Sequence, residues 1–479
     1  MSEIEMFNAH IHVFTIDHVP NQFAKGMFRP VSGLVTIRLI KRWARWIEGW
    51  EKRRRQARLK NSWFNRNVLK ILLWFVQWLG RRLGIGLRLT LPGNHIKDLM
   101  ARYLRLLNFS YDASSRSTYT QAHIYQRIKN YSPANTHFIA LSMDMEYMGG
   151  GRPAESYDVQ LEKLEELAKS DPTLHPFLCV DPRRLSKDWE VEKFFEKLES
   201  GIYKGVKLYP ALGYFPFDWR ILPIYLKAVE LNLPIMTHCS HGPVYSRDKF
   251  KKEVHGTHPF SGMEIGKRVF KGDRIENHTV HYTDPVNYLV LVNPVYLKHY
   301  LSKVDTSSFT PAEHKLWEEH IIKDFGKSFD SEKLGELQKL KICMAHWGGG
   351  EEWDRYLEDY PPAIQNLVDP FKDDLRLAEN HKKVWETYSW FTLIYEMITN
   401  PQWNFYTDLS FTLHEEKYLN VLKVQMKNEQ RRKRILFGTD YYVVSHKETE
   451  REFSIDLRGA LSEADWKAVS LDNPLRFLN

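Results

Sequence analysis

The chain holds 479 residues, 43% of them hydrophobic and 27% charged, with three cysteines and a formal net charge of +8. That balance excludes whole-chain disorder, a collagen-like fibre and a disulfide scaffold. At roughly 150 residues per domain the length allows three domains, but a single α/β barrel with long insertions accommodates it as well. The opening MSEIEMFNAHIHVF has no basic stretch followed by an apolar one, so no secretory signal is read there. Cys179, Cys239 and Cys343 lie far apart, each in or beside an apolar run, as expected of reduced thiols in a cytoplasmic protein.

In chain order, eight apolar, β-rich runs stand out: 4–14, 137–145, 175–180, 205–209, 234–239, 341–347, 404–411 and 434–441. Amphipathic helical patterns separate most of them, at 157–170, 188–200, 218–231 and from His414 onward. Continuous apolar strands alternating with such helices predict a parallel sheet covered by helices, and eight units predict a closed (β/α)8 barrel of the TIM type. No GxGxxG follows an early strand, which argues against a dinucleotide fold.

Two stretches exceed what one helix needs. Residues 15–131 are read as a helical insertion after strand one, and 244–340 as an insertion between strands five and six, both within a single barrel spanning 1–479. The first insertion carries the charge. Between Arg38 and Arg88 fifteen Lys/Arg face two Glu, a local +13, so the remainder of the chain is net −5. Val35, Leu39, Trp43, Trp46 and Trp50 fall on one helical stripe. The apolar run 68–79 would span about 18 Å as a helix, short of the roughly 30 Å of bilayer hydrocarbon. The segment is therefore expected to fold as a hairpin over the barrel or in a homo-oligomer interface. Membrane-surface contact is the less favoured reading, and nucleic acid is not expected because no binding motif accompanies the charge.

Candidate chemistry gathers at strand ends. Strand one closes on Asn8-Ala9-His10-Ile11-His12, whose two histidines point to the same side and can grip one metal ion. Strands five and six end in His238 and His346, and strand eight ends in Asp440, which could also simply cap the next helix. Lys207 sits inside the apolar run 205–209, where an unpaired ammonium is costly. It must pair with an acid, lose its proton or react, for instance with carbon dioxide to give a carbamate. Tyr209, His241 and Trp347 follow strands four, five and six and are expected to contact substrate. Four histidines and an aspartate at the ends of different strands form an N/O ligand set that suits Zn²⁺ first, with Fe²⁺, Mn²⁺ or Co²⁺ as alternatives.

At NAHIH, GVKLYP, MTHCSHG, CMAHWGG, FGTD and the closing DNPLRFL the sequence resembles the amidohydrolase superfamily. It is most similar to the amidohydrolase-related family that includes aminocarboxymuconate-semialdehyde decarboxylase-like enzymes. The resemblance implies a barrel with a metal centre at its mouth. It puts His10, His12 and His238 on metal-ligand positions, and Asp440 on the position that binds metal and moves the proton of the attacking water. His346 falls on a position that is a second-metal ligand in binuclear members and an acid/base or polarising group in mononuclear ones. GVKLYPA also resembles the dihydroorotase segment whose lysine is carbamylated, which would make Lys207 a bridge between two metals; decarboxylase-like members generally lack it.

Two enzyme readings follow. One is a metal-dependent hydrolase cleaving an amide, ester or lactone-type bond of a small molecule, with Asp440 and His346 as catalytic groups. The other is a non-oxidative decarboxylase of a small carboxylic acid on the same ligands. A silent barrel serving as scaffold for the basic insertion is a third reading, against which the complete ligand set argues.

Overall fold

The computed structural model describes residues 5–21, 111–112, 117–187, 190–241, 244, 246, 256–257, 264–265, 282–358, 389–413, 416–441 and 450–479. Eight strands pair in chain order: β1 (Met6–Ile11), β2 (Thr136–Leu141), β3 (Leu174–Cys179), β4 (Gly205–Leu208), β5 (Ile235–Ser240), β6 (Lys341–Gly348), β7 (Asn404–Asp408) and β8 (Ile435–Leu436). Every pairing is parallel. The two ends of the sheet meet through backbone bonds: Ala9 N donates to Phe437 O at 2.8 Å, Asp440 N to His10 O at 2.9 Å and His12 N to Tyr441 O at 3.1 Å. The sheet is thus a nearly closed (β/α)8 barrel, as the alternation of the sequence predicts.

Helices cover the outside because their apolar residues recur at helical spacing. On α1 (Tyr157–Ser170) the buried residues are Tyr157, Gln160, Leu161 and Leu164. On α2 (Glu190–Glu199) they are Val191, Phe194 and Leu198, each worth roughly 1.5–3 kcal/mol when fully buried. The barrel is completed by α3 (Leu222–Glu230), α4 (Gly350–Glu358), α5 (Trp390–Thr399), α6 (Glu416–Met426) and α7 (Asn473–Leu478). Inside, Ala9, Ile139, Leu141, Phe177, Met236, Cys343, Ala345, Tyr406 and Leu436 pack together, joined by Phe477 of α7. Cys179, Lys207, Met236, Cys343 and Tyr406 stand side by side in register, so the lysine is one member of an otherwise uncharged layer.

The strands stop short of the sequence reading at four places, β2 and β7 ending at Leu141 and Asp408. β1 stops at Ile11 and β8 is only two residues long, because 437–441 exchange single bonds with β1 rather than a regular ladder. Within 244–340 the described residues are mainly helical, including Val286–Val292, Pro294–Leu301 and Pro311–Leu316.

The chain divides into two compact units. The first, Met1–Phe14, Tyr125–Gly149 and Tyr157–Asn479, contains the barrel. The second is Thr15–Ile124 with Gly150–Ser156; in it Ile16–His18 forms a single 3-10 turn capped by Thr15, and His18 Nε2 lies 3.1 Å from Glu155. The basic, Trp-rich stretch 38–88 lies outside the described residues. No described helix is long and apolar enough to cross a membrane.

Candidate metal and catalytic site

His10 and His12 are buried at the C-terminal end of β1. The Nδ1 atom of His10 is 2.8 Å from Asp408 Oδ2, and that of His12 is 3.0 Å from the Leu141 carbonyl oxygen. A carboxylate and a carbonyl only accept, so both Nδ1 atoms carry protons. In the neutral rings this leaves Nε2 bare. Both bare nitrogens turn toward Asp440, whose Oδ1 is 3.3 Å from His12 Nε2 and 3.6 Å from His10 Nε2. His10 Nε2 is buried with no hydrogen-bond partner. Three lone pairs converging on one spot repel unless a cation sits between them: a shared proton in the free protein, or a metal ion. His10, His12 and Asp440 offer ligand atoms all within 4.8 Å of one another, and two imidazoles with a carboxylate suit zinc and its neighbours.

His346, at the end of β6, stands beside them. Its ring lies 4.8 Å from that of His10, its Nδ1 is 2.9 Å from Ser410 Oγ, and its Nε2 is 3.2 Å from His238 Nδ1. His238, from β5, stacks face to face on Tyr209 with centroids 4.2 Å apart. Burial pushes His10 down to about 4 against the pull of Asp408, and burial together with His346 holds His238 well below the ordinary histidine value. His346 is lowered by burial too, against Asp440 and Asp408. These rings are therefore neutral, which is the ligand form. Burial favours protonated Asp440, but a proton shared from the histidine side, first of all across the 3.3 Å contact with His12, outweighs it and holds the group below the usual carboxylate range.

Lys207 is fully buried and its Nζ has no hydrogen-bond partner. Burial pushes its ammonium below the usual lysine range, against the charges of Asp408 and Asp440.

The backbone is shaped for this gathering. His346, Trp347, Gly348 and Gly349 have φ of 69°, 42°, 85° and 84°, a left-handed run that turns the chain sharply after β6. A Cβ on Gly349 would lie 2.9 Å from Ser240 Cβ, so glycine lets this turn close on the end of β5. A Cβ on Gly438 would lie 2.7 Å from His10 Cβ.

The loop residues divide. Tyr209 belongs to the site through His238. His241 instead turns to Glu352, with Nε2 2.9 Å from Oε1, and its ring packs on Trp390 at 4.5 Å. Trp347 has no exposed surface: it stacks on Phe391 at 5.0 Å and meets Trp353 edge-on. Sequence reasoning passed over Asp408 and Ser410, which contact His10 and His346. The signal was there, because Asp408 closes an apolar strand just as Asp440 does. Strand seven was read three residues too long, which hid its end.

Residues 161–479 match the family model described as Amidohydrolase. No curated protein sequence matches the chain. Similar solved structures include 5-carboxyvanillate decarboxylase from Sphingomonas paucimobilis, at 10% identity, covering 76% of this chain and 84% of that one with a TM-score of 0.39. The manganese complex of 5-carboxyvanillate decarboxylase from Novosphingobium aromaticivorans is 12% identical over 74% and 79% of the two chains, TM-score 0.40. 4-Oxalomesaconate hydratase from Rhodopseudomonas palustris is 12% identical over 99% and 95%, TM-score 0.39. Likenesses of this degree leave the reaction open.

Proposed function

The chain belongs to the amidohydrolase family, and on that premise we propose that this enzyme hydrolyses an amide, ester or lactone-type bond of a small molecule with the help of a divalent metal ion, zinc in the first instance. The observation that carries the proposal is the convergence of bare His10 Nε2, bare His12 Nε2 and Asp440 Oδ1 in a buried site. His10, His12, His238 and Asp440 would hold the ion, with His346 beside them. When bound, a divalent ion supplies Lewis acidity, acidifying water and polarising a carbonyl.

The protein groups do the rest. Asp440, kept ionised by its histidine neighbours, accepts a proton from the attacking water and returns it to the leaving group. His346, neutral and anchored through Nδ1, is the second group for proton transfer; its Nε2 faces His238 Nδ1 at 3.2 Å and would take up a proton there. Tyr209 lies on His238 as one wall, and burial keeps its phenol protonated and able to donate. Lys207, whose burial favours loss of its proton, would as the free amine add to carbon dioxide, releasing one proton, to give a carbamate that recruits a second ion. His241 and Trp347 are weaker substrate contacts in this reading, His241 through its partly exposed ring and Trp347 only through its backbone.

The competing reading is decarboxylation of a small carboxylic acid by the same ligands around one ion. In that reading Lys207 stays an unmodified amine among its uncharged strand neighbours Cys179 and Met236. We also read the three buried free thiols as those of a cytoplasmic protein, 15–131 and 244–340 as insertions in the barrel chain, and the enzyme as a homo-oligomer.

Metal analysis tests the centre. The purified protein should carry about one or two transition-metal ions per chain, and the double variant His10→Ala/His12→Ala should lose most of them while remaining folded. Unchanged metal content in that variant would place the centre elsewhere. Assaying the metal-loaded enzyme against amide, ester and lactone panels, and against aromatic and aliphatic acids for released carbon dioxide, then separates the two reactions.

A further inference from the structure

We propose that Asp408 is a positioning residue that sets the proton of three histidines at once and so determines whether the centre can take a metal ion. The proposal rests on the reading of His10 and His238 as ligands, and its argument is one of donors and acceptors.

Asp408 closes β7 and is fully buried. Its Oδ2 faces His10 Nδ1 at 2.8 Å. Its Oδ1 receives three donors: the backbone N–H of His346 at 2.9 Å, the backbone N–H of Ser410 at 3.0 Å, and the Ser410 hydroxyl. The hydroxyl has one proton, and it is committed to Asp408. Its oxygen must then accept from His346 Nδ1, 2.9 Å away, and the Ser410 carbonyl at 3.4 Å can only reinforce that choice. His346 Nε2 is left bare and accepts from His238 Nδ1 at 3.2 Å. His238 Nε2 is left bare in turn. One carboxylate thereby imposes the Nδ1–H tautomer on His10 directly, on His346 through Ser410, and on His238 through His346. In each ring the unprotonated nitrogen is Nε2: that of His10 has no partner, that of His238 faces the Ser240 hydroxyl at 3.3 Å, and that of His346 is taken up by the His238 proton. Carboxylate–histidine pairs behind metal ligands typically change affinity 10–100-fold when broken.

The isosteric change Asp408→Asn is the sharp test. The three donors at Oδ1 require the amide oxygen there, so the NH₂ group must face His10 Nδ1. An NH₂ group donates, so Nδ1 must give up its proton and Nε2 must take one. The atom a metal needs is then capped, although shape and packing are unchanged. Asp408→Ala leaves His10 Nδ1 to the Ser410 hydroxyl, 3.3 Å away, which accepts as readily as it donates, and so spares the tautomer at the cost of a cavity.

Zn²⁺ affinity is measured on the metal-free full chain by competition with a chromophoric chelator, with folding checked by circular dichroism. Asp408→Asn should bind at least tenfold more weakly than wild type and more weakly than Asp408→Ala. A residue that merely fills space would give the opposite order, since alanine removes volume and leaves three donors without their acceptor. Should Asp408→Ala not fold, Asp408→Ser takes its place: its hydroxyl can accept the His10 proton, so it should bind more tightly than Asn. Affinity of Asp408→Asn within threefold of wild type, or an Asn variant that binds better than Ala or Ser, overturns the proposal while leaving the metal centre standing. A wild-type chain that binds no zinc overturns the centre itself and the proposal with it.

Discussion

Gly438→Ala tests whether the seam of the barrel is what aims His10. The added Cβ would meet His10 Cβ at 2.7 Å and His10 N at 3.1 Å. Ordinary contact begins near 3.4 Å, so His10 must retreat by about 0.7 Å. It cannot do so freely. The Ala9–Phe437 and Asp440–His10 backbone bonds, 2.8 and 2.9 Å long, bracket the contact and would stretch with it. Overpacking of this kind costs about 1–3 kcal/mol, and each weakened hydrogen bond adds about 1 kcal/mol. The total, about 2–5 kcal/mol, is a large share of the about 5–15 kcal/mol by which domains are stable. Metal–ligand distances tolerate only about ±0.2 Å, so His10 should also lose its place as a ligand. The assay is urea denaturation of the metal-free chain together with zinc content. Gly335→Ala is the control, because nothing lies within 4 Å of its added Cβ and alanine favours the helix it sits in. A Gly438→Ala protein with wild-type stability and full zinc would show that the seam does not position His10.

Three further outcomes are expected. Asp440→Asn keeps the side-chain shape and one oxygen ligand but cannot accept a proton; turnover should fall by roughly 10²-fold or more with a smaller loss of metal, and near-normal turnover would remove Asp440 from the proton role. Intact-mass spectrometry or a metal-loaded crystal grown in bicarbonate should show carbamylated Lys207, and a free amine in a fully metallated site would shift the reading to one ion and toward decarboxylation. At the opposite end of the barrel His175 is pushed down from 6.5 to about 4 by burial and by His137, whose Nδ1 lies 2.8 Å from its Nε2. The unfolded ring protonates near 6.5 and the folded one only near 4, so the unfolded state holds the extra proton between these values and stability falls as pH drops through that window. His175→Gln should lose less stability than wild type between pH 7 and 4.5 in urea titrations, and an identical acid slope would refute the assignment.

Barrel and ligand candidates were legible for one reason. In a parallel sheet covered on both faces the strands are continuous apolar runs, so a polar residue at a strand end stands out, and His10, His12, His238, His346 and Asp440 all did. The partners that fix those residues were not legible. The proton on His12 depends on the Leu141 carbonyl, a group every residue has, and that on His346 depends on Ser410, a residue common in loops. The directions taken by Trp347 and His241 were not legible for a related reason. Adjacency to a strand end says that a side chain is near the mouth; its direction is set by backbone angles and by the packing of Phe391, Trp353 and Glu352, which are distant in sequence or set on other elements.

The burial of Trp347 has an energetic meaning. Left-handed φ costs a non-glycine residue roughly 1–2 kcal/mol, and His346 and Trp347 adopt it in succession. That strain, about 2–4 kcal/mol, would relax by unwinding the turn and swinging His346 away from His238 and Ser410. Against it stand the two ring contacts of Trp347, worth about 0.5–1.5 kcal/mol each beyond the area they bury. The indole N–H adds a bond to Phe391 O at 3.2 Å, and the Trp347 carbonyl accepts from Trp353 Nε1 at 3.0 Å. These terms are of the same size as the strain, so the left-handed turn is stable only with the indole locked in place. The tryptophan beside the strand-six histidine therefore serves the site as the anchor of a strained turn.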